Sequence, residues 1–316
     1  MANKENCKTK FKTSIGGQAL IEGILMRGPE RQSMVCRKPD GELAVQVDEL
    51  THTKEKYPIL GKPFIRGGFM LISSMKNGMK AITWSAEFMP EEDQEEPGKF
   101  DLWLEKKLGS EKAEKFVMGF AMVLGILLAV GLFFLLPAFL FELLPDSLGL
   151  VGRCMLEGLI RIVIFLLYLW FATRMKEIKR LFAYHGAEHK SIYCYEKGLP
   201  LTVENVRKQS RFHPRCGTSF LFVVIIISVF AGSFIRIAST PLRMLCRLAM
   251  LPAVVAISYE FNRWVGRHDN VLTAILSWPG RKLQHLTTAE PDDSMIEVAI
   301  EALRLVIPEE EGADAW

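Results

Sequence analysis

The chain has 316 residues, 49% hydrophobic and 24% charged, with 39 Lys and Arg against 36 Asp and Glu and a formal net charge of +3. That length accommodates one or two domains with an ample core. The near-balance of charge excludes bulk electrostatic attraction to nucleic acid as an organising function.

The charges fall in blocks. Residues 1–115, 173–217 and the C-terminal tail are rich in them, while 116–172 and 218–261 are nearly bare. Soluble proteins mix charged and apolar residues along each amphipathic element, so this segregation predicts a membrane protein. The cysteines Cys7, Cys36, Cys154, Cys194, Cys216 and Cys246 are scattered without a CxxC pair. That predicts reduced thiols rather than a disulfide framework. The first fifteen residues are basic and polar with no apolar h-region behind them, so internal segments are expected to direct insertion.

Residues 1–13 are expected to be disordered, and 14–90 to form a β-hairpin plus an amphipathic helix. Residues 14–50 read as β structure punctuated by glycine. Lys38-Pro39-Asp40-Gly41 is a turn in which Pro presets φ and Gly accepts φ > 0. Leu43, Val45 and Val47 alternate with polar neighbours, so Val35–Arg37 and Glu42–Val47 are predicted to pair as a hairpin. From Phe64 to Phe88 the period becomes helical, with Ile65, Phe69, Ile72, Met75, Met79 and Ile82 in one apolar stripe. Such a helix lies in the membrane interface, packs on the membrane domain, or covers the hairpin. The acidic run within 91–115 reads as a solvated linker and lead-in helix.

Residues 116–141 carry no charge before the end of the block and are long enough to cross a bilayer. A second span, 150–172, holds Arg153, Glu157 and Arg161 at four-residue intervals on one helical face. Charges inside a span face the protein interior and often mark function, or sit at headgroup depth and tie helices together. A third span is expected over 218–235. A weaker fourth, 242–264, carries Arg243, Arg247, Pro252 and Glu260, and is expected to be tilted or broken.

The 173–217 segment holds ten Lys and Arg, the 142–152 loop none, and the N-terminal region 19. The positive-inside rule then places 173–217 and both termini in the cytoplasm. In the 265–316 tail, Glu290-Pro291-Asp292-Asp293 marks a helix start, with Pro at the first helical position and acids near the positive dipole end. Ile296, Ala299, Ile300 and Leu303 mark its single buried face. The fold class expected is a mainly α membrane protein of about four transmembrane helices, with a small N-terminal β-containing cytoplasmic segment and a helical C-terminal tail.

Chemistry concentrates between Tyr184 and Cys216. His185-Gly186-Ala187-Glu188-His189 fits H-x-x-E-H, placing two imidazoles on one helical face with Glu188 beside them as a general base. Two histidines at this spacing grip one divalent ion, zinc first among them. The remaining ligand is open among His213, Cys216, Glu260 and His268. Glu260 lies 71 residues beyond His189, and a distant glutamate is the usual third ligand of inverted zinc proteases. A second reading keeps the metal without proteolysis, on His185, His189, His213 and Cys216. A third makes these residues a hydrogen-bonded polar loop. The glycines around Gly16 and Gly17 lack a Gly-Lys-Ser/Thr ending and form no phosphate loop. Glu22 and Arg27 in that stretch are expected to pair with each other or to help close a site.

Several stretches together carry a family likeness. They are Gly16 through Pro29, Phe64-Ile65-Arg66-Gly67, His185 through Lys190, Leu201 through Val206, His213 through Phe220, and Glu290-Pro291-Asp292-Asp293. Over about residues 14–305 the chain resembles the YqhQ family of multi-pass bacterial membrane proteins, a domain of unknown function. The resemblance implies the label that family carries, predicted metal-dependent enzyme, which rests on the same His-Glu-His and His-Pro-Arg-Cys residues.

The leading expectation is therefore a bacterial cytoplasmic-membrane protein with a metal-binding cytoplasmic loop, working as a metal-assisted hydrolase. Its partners would be the lipid bilayer and other membrane proteins. The alternatives are a non-enzymatic accessory or scaffold factor for membrane-protein insertion or envelope machinery, and a transporter whose cavity is lined by Arg153, Glu157 and Arg161.

Overall fold

The computed structural model describes residues 11–50, 58–89, 98–142, 149–235, 237, 239–268, 270–310 and 312–315. The acidic run at 91–97 and most of the 142–149 loop lie outside them. Four strands come first: β1 Gly16–Leu20, β2 Gly23–Arg27, β3 Arg31–Arg37 and β4 Leu43–Glu49. The helices follow as α1 Ile65–Ala86, α2 Lys99–Leu108, α3 Ser110–Val130, α4 Leu136–Glu142, α5 Gly149–Ala172 and α6 Lys176–Glu196. Then come α7 Val203–Arg207, α8 Gly217–Gly232, α9 Thr240–Ala249, α10 Leu251–Arg267, α11 Val271–Thr287 and α12 Asp293–Arg304. A π-helical turn, Gly131–Leu135, joins α3 to α4. The chain divides into two compact units. Unit one comprises Met1–Met89, Leu169–Val224 and Pro252–Trp316, and unit two Pro90–Tyr168 and Ile225–Leu251.

In unit one the strands form an antiparallel meander in the order β1-β2-β3-β4. The glycine-rich stretch supplies the first hairpin, with Gly17 opposite Met26 and Leu20 opposite Gly23. The predicted second hairpin forms over longer strands than the sequence indicated, from Arg31 to Glu49, with Gly41 at φ +88 in its turn. Alternation along the strands sends side chains to two cores. Ile24, Met26 and Val35 join Tyr184 and Ala187 of α6 and Ile296 and Leu303 of α12. Leu20, Leu25, Met34 and Cys36 join Ala81 of α1 on the other face.

Helix α1 packs the opposite way from the one its pattern suggests. Gly67, Gly78, Ala81 and Ser85 are buried, while Ile65, Ile72, Met75 and Ile82 are exposed. The large side chains on that face of the sheet already fill the space, so the helix approaches it closely through Gly78, Ala81 and Ser85, while Gly67 packs against Ala256 and Tyr259 of α10. A Cβ on Gly78 would sit 2.5 Å from Gln18 Oε1, and Ser85 Oγ accepts the Ile21 N–H at 3.3 Å. The apolar stripe does not cover the hairpin.

Helix α12 begins two residues later than expected, at Asp293 rather than Pro291. Asp292 is the N-cap, its carboxylate accepting the Met295 N–H at 2.9 Å, and Pro291 precedes the cap. Met295, Val298 and Ala302 are buried along with the predicted face, because the helix lies between the sheet and α6. Asp292→Ala removes an acceptor from the first turn and is expected to lower unfolding stability by about 1 kcal/mol, read as a shift in the denaturation midpoint. Residues 11–13, assigned with a disordered terminus, are packed. Phe11 meets Tyr195 edge-on at 5.0 Å, and buried Thr13 donates its N–H to Glu196 Oε1 at 2.9 Å.

Among the described residues two helices are long and apolar enough to cross a membrane, Phe116–Leu140 and Met155–Ala172, or three if Pro241–Ala249 and Leu251–Arg267 count as one broken span. The third expected span falls short. Helix α8 ends at Gly232 after 16 residues, about 24 Å of helix against the ~30 Å hydrocarbon core. The fourth breaks at Met250, just ahead of Pro252, whose ring and missing N–H prevent continuation of the helical ladder.

Candidate metal centre

Helix α6 displays His185 and His189 one turn apart, with ring centroids 4.4 Å from each other. Gly186 between them is a packing requirement rather than a weakness. A Cβ there would lie 2.1 Å from the Ala289 carbonyl oxygen, so glycine lets the segment after α11 run against the helix. That segment then places the Thr287 carbonyl 2.8 Å from His185 Nδ1. The loop before α8 places the Arg211 carbonyl 2.5 Å from His189 Nδ1. Each Nδ1–H donates to a carbonyl, which leaves each Nε2 as the ring atom available to a ligand. This is the outer-shell arrangement that orients ligating histidines.

Cys216, immediately before α8, completes the group. Its Sγ is 3.2 Å from His185 Nε2 and accepts the Thr218 N–H at 3.4 Å. One ligand atom from each of His185, His189 and Cys216 lies within 4.8 Å of the others. Among the described residues this is the one such group of three. Burial pushes the Cys216 thiol up, but His189 and His185 outweigh it by charge and hydrogen bonding and hold it well below its ordinary range. Burial likewise pushes His185 down. The Cys216 sulfur and Glu188 overcome this and raise it to about 9. A thiolate and two imidazoles, with the His185 ring giving up its Nε2 proton on binding, form an electron-rich donor set that fits a borderline-soft divalent cation.

Glu188 is buried beside this group. Its Oε1 accepts the Gly17 N–H from β1 at 3.0 Å, while its Oε2 is buried with no hydrogen-bond partner. A Cβ on Gly17 would be 3.1 Å from the Glu188 carboxyl carbon, so this glycine makes room for the carboxylate.

His213 stands next to the cluster but turns elsewhere. Gln284, fully buried on α11, accepts the His213 N–H and donates to its carbonyl, both at 2.7 Å. His213 Nε2 faces Glu196 at 3.5 Å, and Arg215 also pairs with that carboxylate. Burial, with His189 nearby, pushes His213 down to about 3. The folded chain then refuses a proton that the unfolded histidine accepts near its ordinary value. Stability is expected to fall as pH drops below about 6.5, by up to about 1.4 kcal/mol per pH unit from this residue. A His213→Gln variant should lose that part of the slope in thermal unfolding followed across the acid range.

The other candidates lie elsewhere. Glu260 is held by the Arg66 guanidinium and the Phe64 N–H and is not among the residues grouped with His185 and His189. His268, just past the end of α10, donates its Nδ1–H to the Trp264 carbonyl oxygen at 2.8 Å. Glu22 pairs with Arg180, at 2.5 Å, and with the Tyr184 hydroxyl, not with Arg27. Arg27 is half-buried on β2, and burial lowers its pKa. Glu157 and Arg161 are buried in unit two, whereas the Arg153 side chain lies outside the description. Sequence reasoning missed Glu196, although it lies seven residues after His189 on the same face of α6. It also missed Gln284 and the two carbonyls, which no local pattern marks.

These observations define a mostly helical protein with an N-terminal antiparallel sheet, two or three apolar helices among the described residues and a largely buried His–His–Cys group that could hold a metal. The chain belongs to the family described as protein of unknown function (DUF1385), which matches residues 62–309. It is 35% identical over 300 residues to "Uncharacterized protein YqhQ" of Bacillus subtilis (strain 168), covering 93% of this chain and 92% of that relative. No solved structure matches. The likeness to the YqhQ family drawn from the motifs therefore holds.

Proposed function

We propose that this protein is a metal-dependent hydrolase of the bacterial cytoplasmic membrane, with zinc on His185, His189 and Cys216 and Glu188 as general base. One observation carries the reading. Three convergent donors, both imidazoles with Nδ1 committed to a backbone carbonyl and Nε2 turned to the group, lie beside a buried carboxylate that has one satisfied oxygen and one unpartnered. Three protein ligands with a fourth position left open are the pattern of catalytic rather than structural zinc sites. Zinc so held supplies Lewis acidity toward a carbonyl or phosphoryl oxygen and acidifies water. The Gly17 N–H fixes Glu188 through Oε1, and Oε2 is the atom that takes the proton. The apolar helices and the Lys- and Arg-rich 173–217 segment support a cytoplasmic site and cytoplasmic termini.

The test is metal content by mass spectrometry on full-length protein purified without chelators, beside a His185→Ala/His189→Ala double variant. Near-stoichiometric zinc that the double variant lacks supports the reading. Little metal in both, with the variant still folded, removes it.

The 3.2 Å contact between Cys216 Sγ and His185 Nε2 favours a second reading, a cysteine nucleophile paired with His185 and oriented by Thr287. Metal-free protein that forms a stable thioester with an activated ester would select it.

A further inference from the structure

Unit two contains an ion cluster that the metal centre does not use. Glu157 and Arg161 of α5, Ser228 of α8 and Arg247 of α9 converge there. Glu157 Oε1 accepts from Arg161 Nη2 at 3.3 Å and also from Arg247 Nη1. Arg161 Nη1 donates to Ser228 Oγ at 2.8 Å, and the Ser228 hydroxyl donates onward to the Ile225 carbonyl. The Arg161 guanidinium also lies over the Phe134 ring, 5.0 Å from its centroid, where the π-helical turn presents that ring.

The charges do not balance. Two guanidinium groups share one carboxylate, and Glu157 is the one acid among the described residues lining the adjoining cavity. Glu157 and Arg161 are each only 4% exposed and the Arg247 side chain 13%, so the surplus positive charge is largely withdrawn from water, where it is costly. The hydrogen bonds do not close either. The Nε–H groups of both Arg161 and Arg247 are buried without an acceptor.

The cavity's other walls are small. Gly158, Ser228, Gly232 and Ser233 line it beside the two arginines. A Cβ on Gly232 would come within 3.5 Å of Arg247 Nε, so glycine leaves the space in front of that donor open. The space holds a ligand of about the size of one water molecule.

We propose that this cavity binds one small monovalent anion of halide size, held by the two Nε–H groups. A water molecule would accept those hydrogen bonds but leave the surplus charge. A halide ion satisfies both requirements, and polyatomic anions such as phosphate or gluconate are too large. This site is independent of the metal centre and of the hydrolase reading.

The test uses full-length protein purified in detergent and exchanged into gluconate buffer. Binding of radiolabelled chloride and the thermal midpoint are followed as chloride or bromide is added. Saturable binding of about one chloride per chain is expected, with a midpoint that rises with either halide but not with gluconate or phosphate. Arg247→Leu leaves Arg161 and Glu157 as a neutral pair and should weaken chloride binding at least about tenfold. Glu157→Gln adds positive charge and should tighten it by a comparable factor. A structural role for the cluster would not move the two variants in opposite directions. No saturable chloride binding in the unaltered chain overturns the proposal, as does binding unchanged in both variants. If Arg247→Leu does not fold, Glu157→Gln alone decides, and chloride binding that fails to tighten overturns it.

Discussion

Cys216→Ala is expected to weaken zinc binding by more than about 100-fold, since loss of outer-shell partners alone costs 10- to 100-fold at such sites. In the proposed site the sulfur would be the donor that turns a pair of histidines into a three-ligand site. It lies against His185 Nε2, at the start of α8, where the exposed N–H groups favour a thiolate. The fold should survive, because removing one buried sulfur atom from a site already bounded by polar groups leaves only a small void. A competition titration with a chromophoric chelator gives the affinity, and circular dichroism reports the fold. Glu188→Gln is the companion. It keeps the Gly17 hydrogen bond and removes the basic oxygen, so zinc should stay bound while hydrolysis of chromogenic ester, amide and phosphoester probes disappears. Zinc affinity unchanged in Cys216→Ala would show that the thiolate is not a ligand.

The site was legible where spacing along one helix decided it. His185 and His189 needed only the four-residue period of α6, and Cys216 was among the open ligands because it follows His213 by three residues. The sequence could not say which of His213, Cys216, His268 and Glu260 would join them. That choice rests on Gln284, 71 residues from His213, whose amide grips both backbone groups of His213. It rests also on Glu196, which draws the His213 ring away. Arg66 does the same to Glu260 from a helix nearly two hundred residues earlier.

The fold shows a parallel limit. Periodicity located α1 and α12 to within a few residues, and turn chemistry located the β3–β4 hairpin. Hydrophobic patterning assumes that the large apolar face is the packed one. In α1 the packed face is made of glycine, alanine and serine, because the sheet beneath supplies the bulk. In α8 the apolar composition was read correctly and the length was not, since nothing in the sequence between Gly232 and Ile235 breaks the pattern sharply.

Gly186→Ala is expected to be among the most damaging single-methyl changes in the chain, although alanine is the better helix former by about 1 kcal/mol. The added Cβ would sit 2.1 Å from the Ala289 oxygen, a backbone atom that cannot rotate aside. The same segment is pinned to α6 by the Ala289 N–H donating to the Phe182 carbonyl at 2.8 Å, so the two must separate together. Overpacking of this kind typically costs 1–3 kcal/mol, and against a propensity gain of about 1 kcal/mol a net loss of up to about 2 kcal/mol is expected. The damage should reach the metal centre. Thr287, two residues before Ala289, carries the carbonyl that orients His185, and disturbing such a partner lowers metal affinity about 10- to 100-fold. Gly68→Ala in α1 is the control, because its Cβ would meet nothing within 4 Å. There the helical preference stands alone, and the thermal midpoint should hold or rise. A Gly186→Ala protein as stable as its parent, with zinc affinity intact, would mean that the segment after α11 does not press on α6 as described, and the orientation of His185 by Thr287 would go with it.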